Sequence, residues 1–315
     1  MKRGHLFAGH IKQYLALCLL AACLFSASPL STSCATSSFS GELVESEKST
    51  VWNHPVPLYE GLEGCGLCID PALQCPAEPR TAEDFQDVLA YMALYDLDAL
   101  NLTYHDMPPE DFLAELRRMS SDELHTYRYT HPEYFNYMNL VYLKEVTPEE
   151  GGVYGLGIRL FAHGYDNATM IAYRHQAFWD ARKILRSLYD TGKLRPGMRE
   201  RSRAKVITKW IIDHTEYDDD ETRLCHTGWS VFQRGTAVCD GYVSALQLML
   251  SLDGIQCRGQ LGTVQGDETL HLWTIAVLDG KEVGIDPVGC EKSFRYFGMD
   301  WSKMTKWYVL KGQAS

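Results

Sequence analysis

Apolar positions along the chain fall into three spacings. Tyr14–Phe25 (YLALCLLAACLF) is an unbroken apolar run, preceded by Lys2, Arg3 and Lys12 and followed by a small-residue, Ser-rich stretch. That order is the order of a secretory leader, and the run is too short to span a bilayer. Helical spacing begins after Thr81-Ala82-Glu83-Asp84, a capping-type start, where Phe85, Val88, Leu89, Met92 and Tyr95 recur on one face. Ser120–Glu123 and the run from His131 suggest two more helices, while Tyr154–Tyr165 is Gly-punctuated and leaves strand or loop open. Ala168–Tyr189 carries Ile171, Phe178, Ile184, Leu185 and Leu188 on one stripe, with Gly192 beyond its end and Arg195-Pro196-Gly197 breaking the pattern. Val206, Ile207, Trp210, Ile211 and His214 predict the next helix. Ala245, Leu246, Met249 and Leu250 predict another, ended by Asp253-Gly254. Leu270–Leu278 instead alternates with a period of two, and Asp279-Gly280 is a two-residue hairpin turn that returns Lys281–Asp286 as its partner strand.

These elements divide the chain into a leader (1–35), a Ser/Thr-rich tether with a Cys-containing loop segment (36–80), a mostly helical N-terminal region (81–197) and a C-terminal α+β unit (198–315). There is no internal repeat and no second apolar span. Two processing routes fit the leader. Leu20-Ala21-Ala22-Cys23 resembles a bacterial lipobox, which would lipidate Cys23 and tether the chain to a membrane; Ser33-Cys34-Ala35 has the small residues of an ordinary cleavage site. Export follows from either, to the cell envelope or beyond it.

Composition narrows the partners. Asp plus Glu number 41 against 30 Lys plus Arg, a net charge of −11, and no acid precedes Glu42. So acidic a chain lacks the clustered cations that phosphate contacts need, which argues against nucleic acid. The ten cysteines then need sorting, because an exported chain can use them as anchors, disulfides, metal ligands or a nucleophile.

Gly235-Thr236-Ala237-Val238-Cys239-Asp240-Gly241-Tyr242 leads into the helix of Ala245–Leu250, so Cys239 lies at or just before a helix N-terminus. The partial positive charge there favours a thiolate, the nucleophilic form. In the hairpin register set by Asp279-Gly280, Asp286 lies opposite Trp273 and Val288 opposite His271, which puts His271 and Asp286 on one face. Diagonal neighbours stand roughly 7–8 Å apart at the backbone, within reach of a His and a carboxylate. Cys239 as nucleophile, His271 as base and acid, and Asp286 as its orienting carboxylate make a chemically sensible set.

The stretch resembles the transglutaminase-like superfamily, papain-like Cys-His-Asp enzymes, over roughly Arg199–Leu310. The matching residues are Val238-Cys239-Asp240-Gly241-Tyr242, Gly254-Ile255, His271 with Trp273, Gly280-Lys281 and Asp286-Pro287, with Tyr217-Asp218 upstream. His131-Pro132-Glu133-Tyr134-Phe135 is similar to a segment of some exported bacterial members. Members often have His-Ala-Trp where this chain has His271-Leu272-Trp273. The resemblance implies a papain-like transglutaminase core, an α+β fold whose cysteine helix packs on an antiparallel sheet bearing the His and Asp. It also implies an acyl-enzyme on Cys239, formed from a peptide or protein amide and passed to an amine or to water, a chemistry that requires no cofactor. A cysteine peptidase or amidase uses the same triad with water as sole acceptor. A catalytically silent, envelope-tethered binding protein would keep the fold without the chemistry.

Tyr242 and Trp273 flank the site as candidate walls of a substrate groove, and Trp229, ten residues before Cys239, as a candidate shaper of the oxyanion pocket. Cys65, Cys68 and Cys75 lack a fourth local ligand for zinc, so with Cys225, Cys257 and Cys290 they read as candidates for up to three disulfides, leaving Cys239 unpaired. Asp218-Asp219-Asp220-Glu221 lacks the alternating ligands of a calcium loop and reads as a solvated acidic turn.

Overall fold

The computed structural model describes residues 167–218 and 223–310, three earlier strands (99–104, 142–149 and 153–159) and scattered positions between 79 and 111. At the first of these positions the Asp84 carboxylate accepts the N–H groups of Arg80 (2.8 Å) and Thr81 (2.9 Å), while the Thr81 hydroxyl accepts the Asp84 N–H (3.0 Å). This is the reciprocal capping read from Thr81–Asp84. The region expected to be mostly helical also carries a sheet. Strands β1 (Ala99–Tyr104), β2 (Tyr142–Glu149) and β3 (Val153–Arg159) pair antiparallel in the order β1-β3-β2, with Ala99 opposite Arg159. The stretch from Tyr154 that was open between strand and loop is therefore strand as far as Arg159. The helices expected at Ser120–Glu123 and from His131, and Cys65, Cys68 and Cys75, lie outside the described residues.

From residue 167 the order is α1 (Asn167–Asp190), α2 (Glu200–His214), β4 (Glu216–Tyr217), a 3-10 turn (Arg223–His226), α3 (Gly228–Gln233), β5 (Thr236–Ala237) and α4 (Cys239–Leu252). It continues with β6 (Cys257–Val264), β7 (Leu270–Leu278), β8 (Lys281–Ile285), α5 (Pro287–Lys292), β9 (Phe297–Met299), α6 (Trp301–Trp307) and β10 (Tyr308–Leu310). Five of these strands form an antiparallel sheet in the order β10-β6-β7-β8-β9. This is the α+β arrangement of a cysteine helix laid on an antiparallel sheet.

Helix α4 is buried almost all round, from Gly241 through Ser251 apart from Ser244, which marks a central core helix rather than a surface one. Its Tyr242, Ala245, Leu246 and Met249 share one core with Phe178 and Leu185 of α1, Ile207 and Ile211 of α2, and Ala276, Val283 and Ile285 of the sheet. The packing thus extends back through α1, N-terminal of the boundary expected near residue 197. A second cluster of Trp273, Ile275, Met299, Met304 and Tyr308 fills the sheet's other side. Strand β7 is buried on both faces for that reason, although its sequence alternates. At the far end of α4, Asp253 accepts from Tyr189 Oη (2.7 Å) and Arg203 Nη1 (2.6 Å), tying α1 and α2 to the helix.

Candidate active site

Three backbone bonds guide the chain to Cys239. Glu216 N–H donates to Gly235 O (2.8 Å), Asp218 N–H to Ala237 O (2.9 Å) and Val238 N–H to Cys225 O (3.1 Å). Val238, in extended conformation, caps α4, so Cys239 is its first residue. The N–H groups of Cys239 and Asp240 have no acceptor within the helix, as at any helix start. Gly241 makes the tight approach feasible: a Cβ there would sit 2.1 Å from Cys225 O and 2.9 Å from Ala237 Cβ.

The other two groups come from the hairpin. Asp279 and Gly280 both have positive φ (53° and 76°), as a type I′ turn requires, and the register runs from Leu278 opposite Lys281 to Thr274 opposite Ile285. Asp286 would be the next rung, but Pro287 ends the strand and Asp286 becomes the N-cap of α5. Its Oδ1 accepts Gly289 N–H (3.0 Å). Its Oδ2 faces His271 Nε2 (3.0 Å) and accepts from Tyr308 Oη (2.8 Å). Cys239 acts electrostatically on the same imidazole.

Burial opposes charge on His271, but the Asp286 carboxylate and Cys239 outweigh it and push the imidazole up to about 10. Burial likewise opposes the Asp286 charge. The His271 imidazole, Gly289 N–H and Tyr308 hydroxyl overcome it and hold the carboxyl below its usual range. His271 therefore carries a proton at neutral pH beside an ionised carboxylate.

Tyr308 is the residue that sequence reasoning missed. It arrives on β10, beyond the resemblance's short motifs, and its ring lies 6.0 Å from His271 at 10° and 4.5 Å from Trp273 at 30°. Burial, then the neighbouring Asp286, push its hydroxyl far above the ordinary value, so it remains a donor.

The three flanking aromatics do other work. Tyr242 is fully buried and its hydroxyl donates to Glu291, and Trp273 is fully buried beneath Tyr308, so neither lines an open groove. Trp229 is turned to α1: its ring stacks on Tyr173 at 4.1 Å and its indole N–H donates to Gln176 (2.8 Å). That donor is committed, which removes Trp229 from the oxyanion role. Leu272 is buried and, by alternation, points to the opposite face from His271.

The disulfide expectation also changes. Cys225, Cys257 and Cys290 are unpaired, like Cys239. They sit in separate places: Cys225 under the Val238 turn, Cys257 against Ser251 Oγ (3.5 Å) and Gln247 O (3.6 Å), and Cys290 within α5. Burial pushes all three thiols up, Cys257 to about 12. Among the described residues, no three His, Cys, Asp or Glu side chains gather as a metal site.

A sheet carrying a His–Asp pair beside the first residue of a buried helix defines the class of fold. Residues 191–287 match the family model of the transglutaminase-like superfamily, and this part of the chain is a transglutaminase-like domain. No curated protein matches the sequence. Among solved structures, the chain is similar to a TGase (19% identity, 47% of this chain and 44% of that one, TM-score 0.30). It is also similar to a candidate cysteine protease from Cytophaga hutchinsonii (13%, 54% and 65%, TM-score 0.31) and a candidate protease from Parabacteroides distasonis (13%, 47% and 36%, TM-score 0.27). The chain spans less than two thirds of the length of each of these.

Proposed function

We propose that the chain is an exported thiol enzyme that forms an acyl-enzyme on Cys239 and passes the acyl group to an amine or to water. The observation that carries the reading is the His271–Asp286 bond, with Cys239 at the first residue of α4 and acting electrostatically on that imidazole. The apolar run with basic residues before it supports export.

In this reading the proton of Cys239 already resides on the His271 imidazolium, and Sγ attacks the carbonyl carbon of a peptide or protein amide as the thiolate. The oxygen that gains charge faces the N–H groups of Cys239 and Asp240, fixed donors that stabilise it as it forms. Collapse breaks the C–N bond while His271 protonates the leaving amine, which is ammonia when the amide is a glutamine side chain. An incoming amine or water then attacks the thioester, gives its proton to His271 and releases the sulfur. Asp286 stays a carboxylate throughout, holding the ring's orientation. The chemistry calls for no cofactor.

The test uses a glutamine peptide and a primary amine. Amine incorporation identifies acyl transfer; ammonia release alone identifies hydrolysis, the peptidase or amidase form of the reading. Intact mass should show the acyl group on Cys239. Absence of any adduct, with Cys239→Ala keeping full cellular activity, rejects the enzyme and leaves a binding protein.

A further inference from the structure

A second ionisable pair stands beside the nucleophile, and the acyl-transfer steps above do not use it. His226 ends the 3-10 turn before α3, and its Nδ1 lies 2.9 Å from both carboxylate oxygens of Asp240, the residue that follows Cys239. Asp240 Oδ1 also accepts the Gly241 N–H at 3.1 Å. One residue before the nucleophile, Val238 N–H is bonded to Cys225 O. Cys239 is therefore bracketed: a main-chain bond fixes the turn on one side and a side-chain ion pair fixes it on the other, both to the same Cys225-His226 segment.

The pair is sheltered, with 30% of the His226 and 13% of the Asp240 side chain accessible, so water screens it less than an exposed pair. Burial opposes the imidazolium, but Asp240 outweighs it and pushes His226 up to about 11. The imidazole is therefore charged across the neutral range.

We infer that His226 and Asp240 are positioning residues for the nucleophile: their bond locks the first turn of α4, aligning Cys239 with His271 and setting the N–H groups of Cys239 and Asp240. The inference rests on the reading of Cys239 as nucleophile. Removing the bond leaves the core intact but lets the leading turn swing.

The test is the rate at which iodoacetamide labels Cys239 in the folded chain, followed by peptide mass spectrometry. His226→Asn keeps an N–H where Nδ1 stands; His226→Leu keeps bulk and loses it. The expected result is labelling within threefold of wild type for His226→Asn and at least tenfold slower for His226→Leu. Asp240→Ala should slow labelling by a factor similar to His226→Leu, and the double variant should be no slower than either, as for groups acting as a unit. Asp240→Ala also carries the comparison if His226→Leu does not fold. Wild-type rates in His226→Leu and Asp240→Ala, or an Asn variant as slow as the Leu one, overturn the inference while leaving Cys239 a nucleophile. A wild-type Cys239 that labels no faster than in the denatured chain overturns the nucleophile reading and this inference with it.

Discussion

Three donors converge on the buried carboxylate of Asp286, and each reaches it from a different element: His271 from β7, Gly289 from α5 and Tyr308 from β10. Removing one leaves an acceptor without its bond in a place water does not reach. Tyr308→Phe is expected to lower stability by about 1.5–3 kcal/mol, the usual worth of a hydrogen bond to a charged group, measured by urea unfolding. It should also slow iodoacetamide labelling of Cys239, because His271 then leans on a less firmly held partner. The His271–Asp286 approach was legible in sequence, because Asp279-Gly280 admits few turn geometries and strand alternation does the rest. Tyr308 was not legible. Its approach depends on β10 pairing with β6 some 45 residues upstream, Tyr308 opposite Val264, and no local spacing encodes that pairing.

At the scale of elements, the strand-to-helix turn before Cys239 works because Gly241 has no side chain. Gly241→Ala improves helix propensity, yet its Cβ would collide with a backbone carbonyl that has nowhere to go. The expected outcome is a loss of about 1–3 kcal/mol from overpacking, read from the denaturation midpoint, with slower Cys239 labelling as the turn shifts. The start of α4 at Cys239 and the long helix α1 were legible from apolar spacing with a clear stop. The strands β1 and β2 were not: β1 pairs with β3 across a long stretch of chain, and β2 was passed over although Gly151-Gly152, between it and β3, is a hairpin signal. Trp229 shows a different limit. Ten residues from Cys239 in sequence says nothing about facing, and α3 turns that indole toward α1. The buried thiols of Cys225, Cys257 and Cys290 mark the same limit, since a count of cysteines does not say which ones meet.

For the molecule as a whole, two raised imidazoles set how stability responds to alkali. An unfolded chain releases their protons near the ordinary value of 6.5, while the folded chain keeps them until about 10 at His271 and about 11 at His226. Their stabilisation is full below 6.5 and is lost as pH rises through the folded values, because above 6.5 the folded state binds more protons than the unfolded one. Thermal midpoints should therefore fall steadily from about pH 6.5 to about pH 10, and the fall should be shallower in His226→Asn.

Acid probes a different joint. Asp286 is both the partner of His271 and the cap of α5, so a single proton arriving there withdraws a charge from the ring and a staple from the helix. Its depressed carboxyl postpones that event to strong acid, where the stabilisation it supplies disappears as pH falls through the folded value. Loosening of the His271 ring and fraying of α5 then become one transition with one midpoint. Amide exchange at Gly289, whose N–H is held by that carboxylate, should accelerate over the acid range in which Asp286 gains its proton, ahead of the amides of α4. The domain would carry its own fuse, a short helix that lets go when the Asp286 carboxylate is neutralised.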